Sequence, residues 1–132
     1  MNNHELIVEV LKRQASGNLK GMLELMTDDV AFELPFFGDR YVGKVEIEAR
    51  MAPSVARMQG LAFRDFVLRD MAEPGWVLAN FKGTARCTTT GRTYNQIYIA
   101  VFQVRDGRVA LFQEYFDTFQ LFQTIGRAEL VQ

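Results

Sequence analysis

The chain has 132 residues and a formal net charge of −1, with a pI near 5.8, so it offers no basic surface for a polyphosphate and no nucleic-acid partner is expected. A hydrophobic share of 48% beside 23% charged residues is ordinary for a globular protein, and the length suits one domain over residues 1–132 with a real core. Cys87 stands alone, which excludes an internal disulfide and fits a reducing compartment.

Residues 3–15 predict a helix, with Leu6, Ile7, Val10 and Leu11 on one apolar stripe and charges opposite. Acids and bases inside MNNHELIVEVLKRQ exclude a signal peptide or membrane span there, so the cytoplasm is the expected location. His4, the single histidine, lies on the polar side as a surface residue. Ser16-Gly17 breaks this helix. Asn18 can cap a second one over 19–26, with Leu19, Met22, Leu23 and Met26 inward. Extended structure begins at Val30. Glu33 interrupts the apolar run VAFELPFF just before Pro35, so it must escape at an edge or point into a cavity. Phe36 and Phe37 lead into a turn at Gly38-Asp39-Arg40.

A third helix is predicted over about 45–58, with Ile47, Met51, Val55 and Met58 near one face. Pro53 should kink or split it. Leu61–Met71 reads as a strand with mixed faces, interrupted by Asp65 and Arg69 and so near an edge. Glu73-Pro74-Gly75 is a turn. Trp76–Thr88 follows as a long strand in which Gly83 marks a bulge or bend. After the Thr89–Arg92 turn comes the most regular stretch. Tyr94, Ile97, Tyr98, Ile99, Val101, Phe102 and Val104 suit a pleated surface, and Asp106-Gly107 supplies the positive φ angles of a tight hairpin. On the return strand Val109, Leu111, Gln113, Tyr115 and Asp117 share one side, and Ala110, Phe112, Glu114 and Phe116 the other. Both sides are largely apolar, so both should be covered; a regular strand cannot aim both Glu114 and Asp117 into one pocket without a bulge, and Glu114 reads as an outer-face or interface residue before a pocket one. Phe119, Leu121, Phe122 and Ile125 suggest a short C-terminal helix stopped by Gly126, with a loose tail.

Helix, helix, strand, helix and four strands in meander make an α+β fold. A curved, mainly antiparallel sheet would wrap around three helices as a cone with an apolar pocket. Eleven Phe and six Met either fill an ordinary core of large side chains or line that cone for an apolar ligand. A lining would draw on Phe36, Phe81 and Met51. Tyr98 and Tyr41 could donate to a ligand carbonyl or remain core and rim tyrosines. There is no Gly-rich phosphate loop, no Ser/His/Asp set and no zinc-type spacing. One His and one Cys leave no nitrogen- or sulfur-ligated metal site, and no cofactor is implied. What remains is acid/base chemistry by carboxylates, tyrosines and arginines.

The stretch TGRTYNQIYIAVFQVRDGRVALFQEYFD, with the helix-helix-strand-helix-meander order, resembles the nuclear-transport-factor-two-like cone fold over nearly the whole chain. That fold includes ketosteroid isomerases and SnoaL-like polyketide cyclases, and the stretch is most similar to limonene-epoxide-hydrolase-like proteins. The resemblance implies that Asp117, closing YFD, stands where the epoxide hydrolases hold a catalytic carboxylate. It puts Glu33 where they hold a water-positioning residue. Their Arg-x-Asp partner would fall on Phe81 and Gly83, so the Asp-Arg-Asp route does not transfer. The ketosteroid isomerase base would fall on Leu34 and its oxyanion-hole aspartate near Ala100, so that mechanism does not transfer either. Arg86 could stand in for the missing arginine beside Glu33 or Asp117, or make an exposed salt bridge.

Read from the residues themselves, Asp117 has two roles open to it. It could be a desolvated acid at the cone mouth or the N-cap of the helix that begins at Thr118. Two functions are therefore expected. One is a cofactor-free enzyme on a small apolar substrate, performing isomerisation, cyclisation or epoxide-type hydrolysis with Asp117 as acid and Glu33 as base or water holder. The other is a non-catalytic module holding a hydrophobic metabolite. The resemblance implies a homodimer in either case.

Overall fold

A computed structural model describes residues 1–126; the loose tail expected after Gly126 lies outside the described residues. Helix α1 (Asn3–Ala15) begins where the Asn2 side chain accepts from the Glu5 amide at 2.8 Å and the Glu5 carboxylate accepts from the Asn2 amide at 3.0 Å. Two N–H groups at this terminus, which has no preceding turn to bond to, are thus satisfied reciprocally. The stripe Leu6, Ile7, Val10 and Leu11 is buried as its spacing predicts, and Gln14 is buried with it. Gly17 turns the chain at φ 83°, and Asn18 caps α2 (Leu19–Glu24) through the Gly21 amide at 3.0 Å. Helix α2 ends before Met26, which instead opens strand β1 (Met26–Leu34).

Pro35–Phe37 form a single tight helical turn, and Gly38 at φ 70° reverses the chain into β2 (Asp39–Val42), antiparallel to β1. The reversal is complete by Gly38, so Asp39 and Arg40 pair with Leu34 and Glu33 instead of forming the expected turn. Helix α3 (Lys44–Arg57) runs through Pro53 without being split. Proline gives up one bond, to the carbonyl four residues back, while Ile47 and Met51 anchor the helix in the core. Four long strands follow: β3 (Met58–Asp70), β4 (Trp76–Cys87), β5 (Thr93–Arg105) and β6 (Arg108–Phe116). Helix α4 (Thr118–Ile125) closes the described chain.

The six strands form one sheet in the order β2-β1-β6-β5-β4-β3, antiparallel except for the β1–β6 pair. Laid flat, six strands would span roughly 24 Å. Helix α3 nevertheless contacts β2 at one edge and β3 at the other. The sheet curls around this helix and meets it from both edges. The helices fill the concave side, where Phe81, Phe102, Phe112, Val77 and Val109 meet Ile7, Leu11, Met22 and Ile47.

Curling is helped by irregularities on β3, where the register against β4 shifts twice, around Gly60 at φ 67° and Asp65 at φ 59°. Of the bulge or bend expected at Gly83, no bulge forms. That glycine pairs in regular register with Gln96 and Phe63, and it serves close approach instead. A Cβ there would stand 2.9 Å from the Tyr98 ring and 3.1 Å from that of Phe63. The space admits a ring cluster in which Phe81 stacks on Tyr98 at 4.8 Å and Phe63 meets both edge-on at 5.0 and 5.1 Å. The Asp106-Gly107 turn has φ 53° and 75°, as its residues predict. Within the single chain the convex face stays open: Ile97 and Ile99 on β5 are 60% and 42% exposed.

Candidate functional site

Between α3 and the concave face of the sheet, the side chains leave a cavity of about 110 Å³. Phe32, Leu34, Met51 and Phe63 make much of its wall, and the partly exposed Phe37, Leu61 and Leu121 stand toward solvent. The polar groups come from four elements: Gln14 from α1, Arg50, Ser54 and Arg57 from α3, Tyr94 and Tyr98 from β5, and Glu114 from β6. On α3 the spacing of three, then four, then three residues from Ile47 to Arg50, Ser54 and Arg57 puts these on one face. On β6 the alternation that buries Ala110 and Phe112 buries Glu114 with them.

Glu114 is the only carboxylate in this wall among the described residues. Its Oε2 is buried and has no hydrogen-bond partner. Burial pushes its pKa up to about 7, although a hydrogen bond from Gln14 and the positive charge of Arg50 both favour the ionised form. Beside it, burial raises Tyr94 to about 12 and Tyr98 well above the ordinary tyrosine value. Tyr94 oxygen accepts from Gln96 Nε2 at 2.8 Å and is hydrogen-bonded by the Tyr98 hydroxyl. The Tyr94 oxygen thus has two donors, and its hydroxyl stays protonated near neutrality.

Two further networks hold these groups in place. Gln96 is buried and fully used: its amide nitrogen also donates to the Asp117 carbonyl at 2.9 Å, and its oxygen accepts from the amides of Ile97 and Asp117, each at 2.9 Å. Tyr94 is thereby tied to the start of α4. Arg50 donates through Nε to the Tyr41 hydroxyl at 3.1 Å and through Nη1 to Ser54 Oγ at 2.9 Å, and Tyr41 in turn donates to Asp39 at 3.2 Å. A rigid fork is thus aimed along the cavity wall.

The residues read from the sequence divide unevenly. Tyr98 and Met51 line the cavity. Phe81 lies one layer behind, stacked on Tyr98, and Tyr41 acts through Arg50 without lining the space. Phe36 is 67% exposed and packs edge-on against Tyr115 at 5.3 Å; its neighbour Phe37 is the one that reaches the cavity. Arg86 is exposed and donates to the Gly91 carbonyl at 2.9 Å, meeting neither Glu33 nor Asp117.

Asp117 is exposed and caps α4, accepting from the amides of Phe119 and Gln120 at 3.0 and 3.4 Å. Glu33 faces the other side of the sheet, paired with Arg40 on β2 and accepting from Gln113 on β6 at 2.7 Å. Neither carboxylate lines the cavity. The reason is strand phase: Glu33 alternates with the buried Phe32 and Leu34, and Asp117 lies one residue beyond the strand that carries Glu114.

Sequence reasoning missed Glu114, Gln14, Tyr94, Arg50, Ser54 and Arg57 as cavity residues. Two of them carried a signal. Glu114 shares its strand side with Phe112 and Phe116, and Gln14 continues the Ile7, Leu11 stripe at helical spacing. Among the described residues no group of three His, Cys, Asp or Glu side chains is placed to hold a metal ion, and no helix is long and apolar enough to cross a membrane.

The model of the SnoaL-like domain family matches residues 7–112. An uncharacterized PhzA/B-like protein of Pseudomonas aeruginosa is 25% identical over 98% of this chain and 94% of its own. Among solved structures, a Bacillus subtilis protein provisionally assigned as an isomerase is 26% identical, with a TM-score of 0.81 over 94% of this chain and 95% of its own. A Xanthomonas campestris protein provisionally assigned as a polyketide cyclase superposes with a TM-score of 0.82 at 22% identity, over 94% and 96% of the two chains.

Proposed function

The chain belongs to the SnoaL-like domain family, and on that premise we propose that it is a cofactor-free acid/base enzyme acting on a small, largely apolar substrate, with Glu114 as the proton-transferring group. The observation that carries this reading is the Glu114 carboxyl, buried in the cavity wall with one oxygen unpartnered and a pKa of about 7. A group that is part acid and part base near neutrality is suited to take a proton from carbon and return it elsewhere. In the ionised form Glu114 removes a proton beside a substrate carbonyl. The charge that develops on the carbonyl oxygen accepts from Tyr94, whose hydroxyl is held by Gln96 and Tyr98 and stays protonated. Return of the proton at another carbon gives isomerisation, and attack of the enolate on a second carbonyl gives cyclisation. Epoxide hydrolysis is less supported, because the wall supplies one carboxylate and that route uses two.

The cavity sets the scale of the substrate. An apolar cavity of about 150 Å³ holds one benzene, so about 110 Å³ with a side open to solvent fits a group on the order of a single ring. The provisional isomerase and cyclase assignments of the relatives agree with this class of chemistry.

A direct test needs no natural substrate. Cyclopentenone and cyclohexenone in D₂O are followed by proton NMR for loss of the hydrogens next to the carbonyl. The protein should accelerate exchange over buffer, and Glu114→Gln should abolish the acceleration. Equal exchange by Glu114→Gln would remove Glu114 from the chemistry. Binding of the ketones without any exchange would favour a binding module in the same cavity.

The convex sheet face supports a homodimer as the working assembly. Ile97 and Ile99 are exposed there, with Tyr115 and Phe36 nearby and the Glu33–Arg40 pair among them. Light scattering at micromolar concentration should return twice the chain mass; a monomer would end that proposal.

A further inference from the structure

The charges in the cavity wall carry information about the substrate beyond its size. Arg50 and a single carboxyl, Glu114, stand in a cavity whose walls are otherwise largely apolar. Arg50 is not there merely as the counter-ion of Glu114: burial outweighs its pull, and the carboxyl stays protonated in part near neutrality. Its hydrogen bonds inside the protein go to neutral hydroxyls, Tyr41 through Nε and Ser54 through Nη1, and use two of the five guanidinium N–H groups. Those two bonds, with the Tyr41 ring 5.8 Å from the guanidinium carbon, fix the plane of the fork. A guanidinium held by neutral partners at an apolar wall is poised for an external anion of matching planar shape.

We propose that the substrate is a ring-sized carboxylic acid whose carboxylate is seated on Arg50, with its carbon skeleton against Phe32, Met51 and Phe63. This deepens the acid/base reading of the same cavity and rests on it. The seating serves proton transfer, because an anchored carboxylate fixes which carbon of the ring faces Glu114. It also explains why α3 places Arg50 and Ser54 on the buried side of an amphipathic helix, where apolar residues would pack at lower desolvation cost.

The test compares benzoate with benzamide, which have nearly the same shape and differ in charge. Dissociation constants are measured by isothermal titration or ligand-observed NMR on the wild-type protein, on Arg50→Gln and on Arg50→Lys. Benzoate should bind at least about tenfold more tightly than benzamide, the scale of a charge-assisted pair. Arg50→Gln should bring the two within about threefold, and Arg50→Lys, a point charge without the fork, should fall between. Equal affinities in the wild-type protein, or no benzoate binding at millimolar concentration, overturn the proposal without recourse to any variant. A preference that survives Arg50→Gln also overturns it. Ketone exchange without anion preference removes this inference and leaves the acid/base reading. Anion preference without exchange does the reverse.

Discussion

Glu114 carries an unfavourable term in the folded state, because water solvates its ionised form in the unfolded chain and the cavity does not. Its pKa is raised from 4.5 to about 7, so the sign of the pH dependence is fixed. Below about pH 4.5 both states are protonated and folding loses nothing. Between about pH 4.5 and 7 the unfolded chain ionises while the buried carboxyl holds its proton, so stability falls by on the order of 3 kcal/mol and levels off above pH 7. Glu114→Gln lacks this titration. Its unfolding free energy should overtake that of the wild type as pH rises from 5 to 8, with the two behaving alike in their pH trend below 4.5. Urea titrations at pH 4, 6 and 8 would show it, and parallel pH trends in the two proteins would mean that the carboxyl is solvated. Tyr94 supplies a second residue-scale expectation. Tyr94→Phe removes the donor and leaves Gln96 and Tyr98 with an unpaired partner site, so ketone exchange should fall by about 10²-fold or more while ketone affinity changes little. Affinity and exchange falling together would mark Tyr94 as a binding residue only.

Glu114, Gln14 and Arg50 were the least legible residues, for a physical reason. Strand alternation and helix spacing place side chains on faces, and both were readable: Glu114 was assigned the phase of Phe112, and α1 and α3 were assigned their stripes. Which face of β6 meets the helices is a tertiary fact. With apolar residues on both sides of β5 and β6, covering both faces looked consistent, and Glu114 could be sent outward. Asp117 posed the opposite problem. Its local signal, an aspartate before Thr-Phe-Gln, was sufficient by itself to identify the cap, whereas the resemblance drew it toward the cavity.

At the scale of elements, the caps and tight turns were the readable parts, because a few adjacent residues decide them. Asn18, Asp106-Gly107 and Asp117 all act through neighbours within four positions. Strand β2 was missed because its pairing is with β1 and its four residues carry little periodicity. The bends of β3 were missed because Asp65 takes a positive φ that its residue type permits and does not demand. Two predictions belong here. Asp117→Ala should lower stability by about 0.5–2 kcal/mol, measured by urea unfolding, through loss of the two amide bonds at the start of α4; an unchanged midpoint would mean that the cap is dispensable. Gly83→Ala should cost about 1–3 kcal/mol, because the added methyl meets the Tyr98 and Phe63 rings at 2.9 and 3.1 Å. A neutral outcome would show that the ring cluster has room to shift.

For the molecule as a whole, the curled sheet turns an ordinary α+β inventory into a container. The order of elements made the cone legible from sequence, and the helix that touches both sheet edges realises it. The container's size and its polar wall were not legible, since they depend on where side chains from α1, α3, β5 and β6 stop short of one another. Curvature also divides the molecule's two surfaces by task. The concave side sets one carboxyl, two tyrosines and an arginine fork around a small space, while the convex side leaves Ile97 and Ile99 exposed.

The most direct test of the central claim is the pKa of the Glu114 side chain in the ligand-free protein, followed by its carboxyl-carbon NMR shift and assigned by comparison with Glu114→Gln. The account predicts a midpoint near 7, well above the ordinary 4.5. A midpoint at the ordinary value would mean a solvated carboxylate and would contradict the assignment of Glu114 as the proton-transferring group.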